Sequence, residues 1–143
     1  MQISIHQPNY FPWIGYFYKI IHSDVFIFLD NVQYSKGSYT NRTKVLINDT
    51  IKWITLPIKY KLGSNINNLE VLNNKWKLEH LNRLHSYYSK SEFFSEIWPL
   101  VNSTYMNNKE LKLSEINIYF IKIIIEYLEI NIKFYKSSDI LIN

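Results

Sequence analysis

Hydrophobic positions follow two different periods along the chain, and the changes of period divide it into elements. Residues 2–5 form a short run rich in β-branched side chains, and the apolar run 25–28 leads through Leu29 to an aspartate. The second run has the pattern of a strand buried on both faces. Between them a helical pattern follows Pro12, which fits the first turn of a helix. Its apolar face comprises Trp13, Phe17, Ile20 and Ile21.

Strand, helix and strand within the first thirty residues predict a βαβ unit with parallel strands. The polar stretch 31–42 reads as a loop because it has few periodic apolar positions. Two runs with strand character, 43–47 and 51–58, flank a short polar turn and predict a β-hairpin.

The period of the apolar positions becomes helical from about residue 74. Pro99 lies inside the second of three helical patterns, so we expect a kink or a break near residue 98. The third pattern runs roughly from 114 to 129, and residues 130–135 alternate like a last strand. The sequence therefore predicts an α/β fold, with an N-terminal βαβ unit, a β-hairpin, a helical segment and a last strand.

Composition narrows the classes of function. The net charge of +4 permits an anionic partner, but the 16 lysines and arginines are scattered, so we expect a phosphorylated small molecule and no nucleic acid. The lack of cysteine excludes disulfides and thiolate chemistry and fits a cytoplasmic protein. Residues 116–132 are too few and too charged for a membrane span, and no signal-peptide pattern is visible.

Polar side chains gather at the carboxyl ends of the first two predicted strands, where ligands bind in βαβ folds. The end of the first strand supplies His6, Gln7, Asn9 and Tyr10. The second strand ends at Asp30, and the loop after it adds Gln33, Tyr34, Lys36, Asn41 and Arg42. We expect the two clusters to share one edge of the sheet and to form a ligand site.

The chemistry open to this group is specific. His6 can act as a general base or as a neutral donor, and Asp30 can orient it, hold a sugar hydroxyl or bind a cation. Lys36 and Arg42 can neutralise phosphate, and Tyr10 and Tyr34 can stack on a base or a sugar ring. The structural alternatives are a satisfied strand-end histidine, an aspartate that caps a turn, and loop charges in solvent.

Other kinds of site are less well supported. With 3 glycines in all, the chain has no glycine-rich phosphate-binding motif. His80 and His85 are spaced five apart and do not share a helix face, so we expect no metal site. No cofactor is indicated.

The stretches IHQPNYFPWIGYFYKI, SDVFIFLDNVQYSKGSYTNR and WITLPI resemble the WbqC-like protein family, and the likeness extends in order through the whole chain. The resemblance implies a sugar-modifying enzyme of bacterial O-antigen or other surface-polysaccharide synthesis. The positions that match the family motifs are His6, Gln7, Pro8, Tyr10, Pro12, Trp13, Gly15, Tyr16, Phe17, Asp30, Gln33, Lys36, Asn41 and Arg42.

Members of this family continue past the equivalent of residue 143, so the resemblance implies a single domain, 1–143, truncated at its C-terminus. Such a domain would leave an apolar sheet face for self-association or for a partner polypeptide. The order of the first elements is also similar to the start of the nucleotidyltransferase-like fold, an analogy of fold alone. Two functions remain open: a transferase or transferase fragment acting on a nucleotide-linked or otherwise activated sugar, and a non-catalytic module that binds a ligand or a partner.

Overall fold

A computed structural model describes residues 1–140. Its strands are β1 (Ile3–His6), β2 (Val25–Phe28), β3 (Arg42–Ile47), β4 (Thr50–Thr55) and β5 (Lys133–Lys136). Its α-helices are α1 (Ile14–Ile21), α2 (Lys75–Tyr88), α3 (Phe94–Asn107) and α4 (Leu113–Tyr127). Short 3-10 helices span Ile66–Asn68 and Ser137–Asp139.

Strands β1, β2 and β5 form a three-stranded sheet in the order β1-β2-β5, with both pairs parallel. Strands β3 and β4 form a separate antiparallel hairpin. The predicted α/β fold, with its N-terminal βαβ unit, its hairpin and its last strand, is confirmed. The parallel arrangement brings the carboxyl ends of three strands to one edge, because β5 is in register with β2 from Val25↔Lys133 to Phe28↔Lys136.

Helix α1 packs on the sheet through Tyr16 and through part of the predicted face, since Phe17 and Ile20 both pack in the core there. Tyr16 and Ile20 are buried, whereas Trp13 is 69% exposed and Ile21 is 51% exposed. The prediction that Trp13 and Ile21 belong to the packed face is therefore wrong. Trp13 is the N-cap with an extended backbone, and its indole folds back over Gly15, 2.1 Å from where a Cβ would stand. A larger residue at position 15 would require the exposed indole to move.

One face of the parallel sheet is covered by α1 and α4. Phe26 and Phe28 of β2 pack there against helix residues such as Ile20 and Ile121. The alternate positions face the other way and are only partly covered: Ile3 and Ile5 are each 49% exposed and Tyr135 is 50% exposed. The expectation that β2 is buried on both faces is wrong for the described residues. We call the surface of Ile3, Ile5, Val25, Ile27 and Tyr135 the open face.

A larger core joins the hairpin to the helices. It is built around fully buried rings and aliphatic side chains, among them Tyr10, Ile54, Trp76, Tyr105 and Phe120. Trp76 comes from α2, Tyr105 from α3 and Phe120 from α4, so all three long helices meet the inner side of the hairpin. The hairpin is therefore anchored through one face and leaves the other to solvent.

Helix α3 runs through Pro99, and the predicted break near residue 98 does not occur. Proline removes the hydrogen bond to the carbonyl four residues earlier, which here belongs to Ser95. Both Ser95 and Pro99 are exposed, so water can bond to that carbonyl. The cost of the proline is thereby reduced.

Candidate functional site

The segment after β1 and the loop after β2 lie side by side. We call residues 6–12 the opening segment and residues 29–41 the β2–β3 loop. The backbone N–H of Tyr10 donates to the carbonyl of Tyr39 at 3.0 Å. One side chain joins the two stretches as well: Nδ2 of Asn117 donates to the carbonyl of Pro8 at 2.8 Å and to that of Thr40 at 2.7 Å. The polar residues that the sequence nominated thus come from two adjoining stretches of backbone.

His6 ends β1 and is half-buried against α1. Its ring meets that of Tyr16 edge-on, with centroids 4.8 Å apart. Its Nδ1 lies 3.0 Å from the carbonyl of Gln7, which also accepts a hydrogen bond from the Tyr16 hydroxyl at 3.0 Å. A proton on Nδ1 satisfies this contact and leaves Nε2 as the basic nitrogen. The ring is thereby fixed in the tautomer that a general base requires.

Asp30 is 1% exposed, and its carboxylate bonds to the end of β5. Oδ1 accepts from the hydroxyl of Ser137 and from the backbone N–H of Ser138, both at 3.0 Å, and Oδ2 accepts from the Ser138 hydroxyl at 2.6 Å. Among the described residues these contacts fasten β5 to β2. The role of Asp30 toward a sugar hydroxyl or toward His6 stays a prediction.

Tyr10 is fully buried and begins a chain of hydrogen bonds through the core. Its hydroxyl lies 2.6 Å from the Tyr105 hydroxyl and 2.8 Å from Nδ1 of His80, and Nε2 of His80 lies 3.2 Å from the carbonyl of Thr55. Because Thr55 can only accept, His80 donates from Nε2 and accepts at Nδ1 from Tyr10. Burial lowers the pKa of His80 to about 4 and raises that of Tyr10 well above its usual value. The Tyr10 ring faces the core here, rather than solvent.

Tyr34 and Asn41 bond to each other within the β2–β3 loop. The Tyr34 hydroxyl donates to Oδ1 of Asn41 at 3.0 Å, and Nδ2 of Asn41 donates to the carbonyl of Leu56 at 3.1 Å. Burial and the nearby Tyr60 raise the pKa of Tyr34, against the opposing charge of Arg42. Both side chains therefore hold the loop against the end of the hairpin. Of the other candidates, Asn9 is buried, Gln7 is half-buried, and Gln33 and Lys36 are exposed.

The outer side of the hairpin carries a cluster of cations and aromatic rings. The Arg42 guanidinium lies over the Trp53 ring, 4.0 Å from its centroid, and Nζ of Lys44 lies 5.3 Å from the same ring. The Tyr39 ring is 5.5 Å from Trp53. Arg42 also donates to the carbonyl of Gly37, whose φ of +81° favours glycine. We call Tyr39, Arg42, Lys44 and Trp53 the basic aromatic face.

Sequence reasoning nominated Arg42 but missed the three side chains around it. The predicted hairpin contained the signal, because Lys44 pairs with Trp53 and Arg42 with Thr55 in the observed register. The alternation along each strand then places Arg42, Lys44 and Trp53 on one face. A two-residue turn at Asn48 and Asp49, both with positive φ, sets that register.

The end of β5 was also missed as a source of polar groups. Ser137 and Ser138 hold Asp30, while Lys136 lies 3.3 Å from Glu115 and 3.5 Å from Asp139. These charges border a small cavity of about 210 Å³ beside β5. The rule that nominated His6 and Asp30 applies equally to the carboxyl end of this strand.

Residues 1–140 contain neither a metal-binding cluster of side chains nor a membrane-spanning helix. No group of three or more histidine, aspartate or glutamate side chains in that range is placed to hold a metal ion. No helix in the same range is both long and apolar enough to cross a membrane.

The sequence model of the WbqC-like protein family matches residues 7–143. The chain belongs to this family. It is also 31% identical over 140 residues to uncharacterized protein Rv1507c of Mycobacterium tuberculosis. The aligned region covers 96% of this chain and 61% of that protein. The chain thus spans about three fifths of the length of this relative. No solved structure matches this chain.

Proposed function

We propose that this WbqC-like chain acts as a transferase, or as the binding part of one, on a nucleotide-linked or otherwise activated sugar in the synthesis of a bacterial surface polysaccharide. Family membership supports the general role, because the resemblance implies sugar modification. The observation that carries the proposal is the junction of the opening segment with the β2–β3 loop. It joins a strand-end histidine to a stretch that leads into the basic aromatic face.

The parts of such a substrate match the chemistry of this surface. Arg42 and Lys36 supply the positive charge that a diphosphate needs, and the guanidinium of Arg42 can bond two phosphate oxygens at once. Trp53 and Tyr39 present ring surfaces, exposed by 36% and 43%, on which a sugar or a base can stack. His6 is the proposed acid or base, with Nε2 as its reacting nitrogen.

Binding is tested by calorimetric titration with a panel of nucleotide sugars. The wild-type protein should bind at least one of them, and Arg42→Ala should weaken that binding about tenfold or more, the loss expected for a charged hydrogen bond. Arg83→Ala is the matched control, because Arg83 is exposed on α2 and lies outside the proposed site. Equal affinities of wild type and Arg42→Ala for the nucleotide sugar would show that Arg42 does not bind its phosphates.

A non-catalytic binding module is the second candidate, and one observation favours it. Asp30, Tyr34 and Asn41 direct their hydrogen bonds to neighbouring parts of the fold. The two candidates are separated by incubating the protein with the nucleotide sugar that it binds and measuring the free nucleotide released by chromatography. A transferase or hydrolase should lose turnover in His6→Gln with little change in affinity. A binding module should show affinity without turnover in both proteins.

The open face supports the proposed self-association. A parallel sheet is ordinarily covered on both faces, and here Ile3, Ile5 and Tyr135 remain about half-exposed. We expect a second copy of the chain to cover them. Light scattering after size-exclusion chromatography should give about twice the mass of 17.3 kDa. Ile5→Lys should shift the protein toward that monomer mass, while Leu62→Lys, at an exposed loop position, should not. A monomeric wild type would contradict this part of the proposal.

A further inference from the structure

A second cavity lies between the inner side of the hairpin and helices α2 and α3. It encloses about 430 Å³, and its walls include Val45, Ile54, Leu84, Ile97, Trp98 and Val101. Ile54 belongs to the rigid core at 1% exposure, while the helix residues are partly exposed. We call this space the hairpin cavity. It is separate from the basic aromatic face, which occupies the outer side of the same hairpin.

The deep wall of the hairpin cavity is aromatic and lacks a free polar group. Tyr105 lines the space, but its hydroxyl is turned toward Tyr10, 2.6 Å away. Phe11 lies beside it, and the two rings are nearly parallel with centroids 5.8 Å apart. The rings of Tyr105 and Phe11 thus present carbon atoms to the cavity, while the Tyr105 hydroxyl and the Phe11 carbonyl form hydrogen bonds elsewhere.

Phe11 holds its place at the cost of an unfavourable backbone. Its φ of +42° lies in the left-handed region, which a bulky side chain rarely occupies. Its carbonyl accepts a hydrogen bond from the Thr43 hydroxyl at 2.9 Å, which fixes this conformation. Such strained residues cluster at ligand sites because the surrounding fold maintains them. The strained backbone of Phe11 therefore indicates that this wall of the cavity is a functional feature and not a packing defect.

The size and chemistry of the space define its ligand. Cavities of about 150 Å³ lined by Leu, Ile and Phe stay dry and bind benzene, and ligand pockets usually run from about 300 Å³ upward. The volume of the hairpin cavity, about 430 Å³, exceeds that of the benzene-binding cavities and lies in the range of ligand pockets. Water there would find few polar partners, so an apolar ligand is favoured over solvent. A space of this volume between an apolar hairpin face and two helices can hold a flexible hydrocarbon chain.

The rim selects the head group. Ser91 and Glu92 lie exposed at the turn between α2 and α3, on the border of the cavity. Lys44 also borders it, but its ammonium is directed to Trp53 on the outer side. The Glu92 carboxylate at the rim therefore disfavours an anionic head group and can accept a hydrogen bond from a neutral hydroxyl, while the Ser91 hydroxyl can donate or accept one.

We propose that the hairpin cavity binds a hydrocarbon chain that bears a neutral, hydroxyl-type head group. The chain lies along Val45, Ile97 and Val101, and the head group remains at the rim beside Glu92. This site is independent of the proposed sugar site, and the tests below use no sugar.

Calorimetric titration with 1-decanol and with decanoate tests the ligand class. The wild-type protein should bind 1-decanol, and it should bind decanoate at least fivefold more weakly. Val101→Phe fills the cavity with an aromatic ring and should weaken 1-decanol binding about tenfold or more. Ile21→Phe is the matched control, because Ile21 is an exposed helical residue on α1 that does not line the cavity. No binding by the wild type, tighter binding of decanoate, or equal loss in the control would overturn the proposal.

A second measurement avoids the need to fill the cavity. A bromine on the far end of the chain, as in 10-bromo-1-decanol, quenches a tryptophan that it touches. Trp98 lines the cavity, whereas Trp13 is exposed to solvent and is not part of the cavity wall. Because Trp13 does not line the cavity, the quenched fraction of the fluorescence should fall sharply in Trp98→Phe and stay unchanged in Trp13→Phe. Quenching that survives in Trp98→Phe would place the chain elsewhere and refute the assignment.

Discussion

The carboxylate of Asp30 accepts two hydrogen bonds from Ser138, one from its backbone N–H at 3.0 Å and one from its hydroxyl at 2.6 Å. Asp30 follows the central strand, and Ser138 follows the edge strand β5. One residue pair thus joins two strand ends at the edge where ligands bind in such folds. The shape of that edge depends on the pair.

Asp30→Ala should lower the free energy of unfolding by about 3 kcal/mol, because buried hydrogen bonds to a charged acceptor are lost and a backbone N–H is left without its partner. Ser138→Ala removes only the hydroxyl bond and should cost about 1 kcal/mol. Urea unfolding followed by circular dichroism measures both. Equal losses in the two variants would show that the carboxylate does not fasten β5.

Gly37→Ala should disturb Arg42, whereas Gly63→Ala should not. Both glycines have φ between +80° and +90°, so both substitutions should destabilise the protein by about 1 kcal/mol. A Cβ at Gly37 would lie 3.3 Å from Nη2 of Arg42, while nothing lies within 4 Å of one at Gly63. Only Gly37→Ala should therefore weaken binding of a nucleotide sugar. Equal affinities in the two variants would contradict the role of Arg42.

Stability should fall between about pH 6.5 and pH 4 because of His80. The pKa of His80 is lowered to about 4 by burial, with a smaller contribution from the charge of Arg83. The unfolded chain takes up a proton near pH 6.5, so protonation favours unfolding throughout this window by up to about 3 kcal/mol. Denaturant titrations at several pH values should show that slope. His80→Gln should flatten it, and the exposed His85→Gln should leave it in place. A slope unchanged in His80→Gln would assign the effect to another group.

Asn117→Asp should separate the opening segment from the β2–β3 loop. The substitution keeps the shape of the side chain but replaces two donated hydrogen bonds with oxygen facing the carbonyls of Pro8 and Thr40. We expect a loss of about 3 kcal/mol in the free energy of unfolding. Asn102→Asp, at an exposed position of α3, is the control and should cost little. If both variants unfold at the same urea concentration, Asn117 does not join the two stretches.

The order and type of the elements were predictable because they depend on local patterns. The period-two and helical runs, the prolines at positions 8 and 12 and the aspartate after β2 marked the βαβ unit and the hairpin. The face of α1 was mispredicted in part, because Trp13 precedes the helix as its N-cap and Ile21 is its last residue, and both are exposed. The exposure of β2 was mispredicted because its apolar run indicates burial without showing what covers it.

The candidate site was predictable in its location and less so in its contacts. A rule about strand ends placed His6 and Asp30, but the partners of Asp30 lie 107 and 108 residues away. The bonds of Tyr10 to His80 and Tyr105 likewise span 70 and 95 residues. Such distant partners leave no periodic signal in the sequence. Local pattern identified the polar side chains, and only the fold shows where their hydrogen bonds go.

The distance along the chain between these partners also sets the order in which the protein can be completed during synthesis. The proposed sugar-site residues named by the sequence lie within the first 42 positions, yet Asn117 meets Pro8 across 109 residues and Ser138 meets Asp30 across 108. A ribosome adds about 5–20 residues per second, so the N-terminal part waits several seconds for these partners. Its apolar strands are exposed throughout that interval. The N-terminal part therefore lacks both contacts until α4 and the end of β5 have been synthesised.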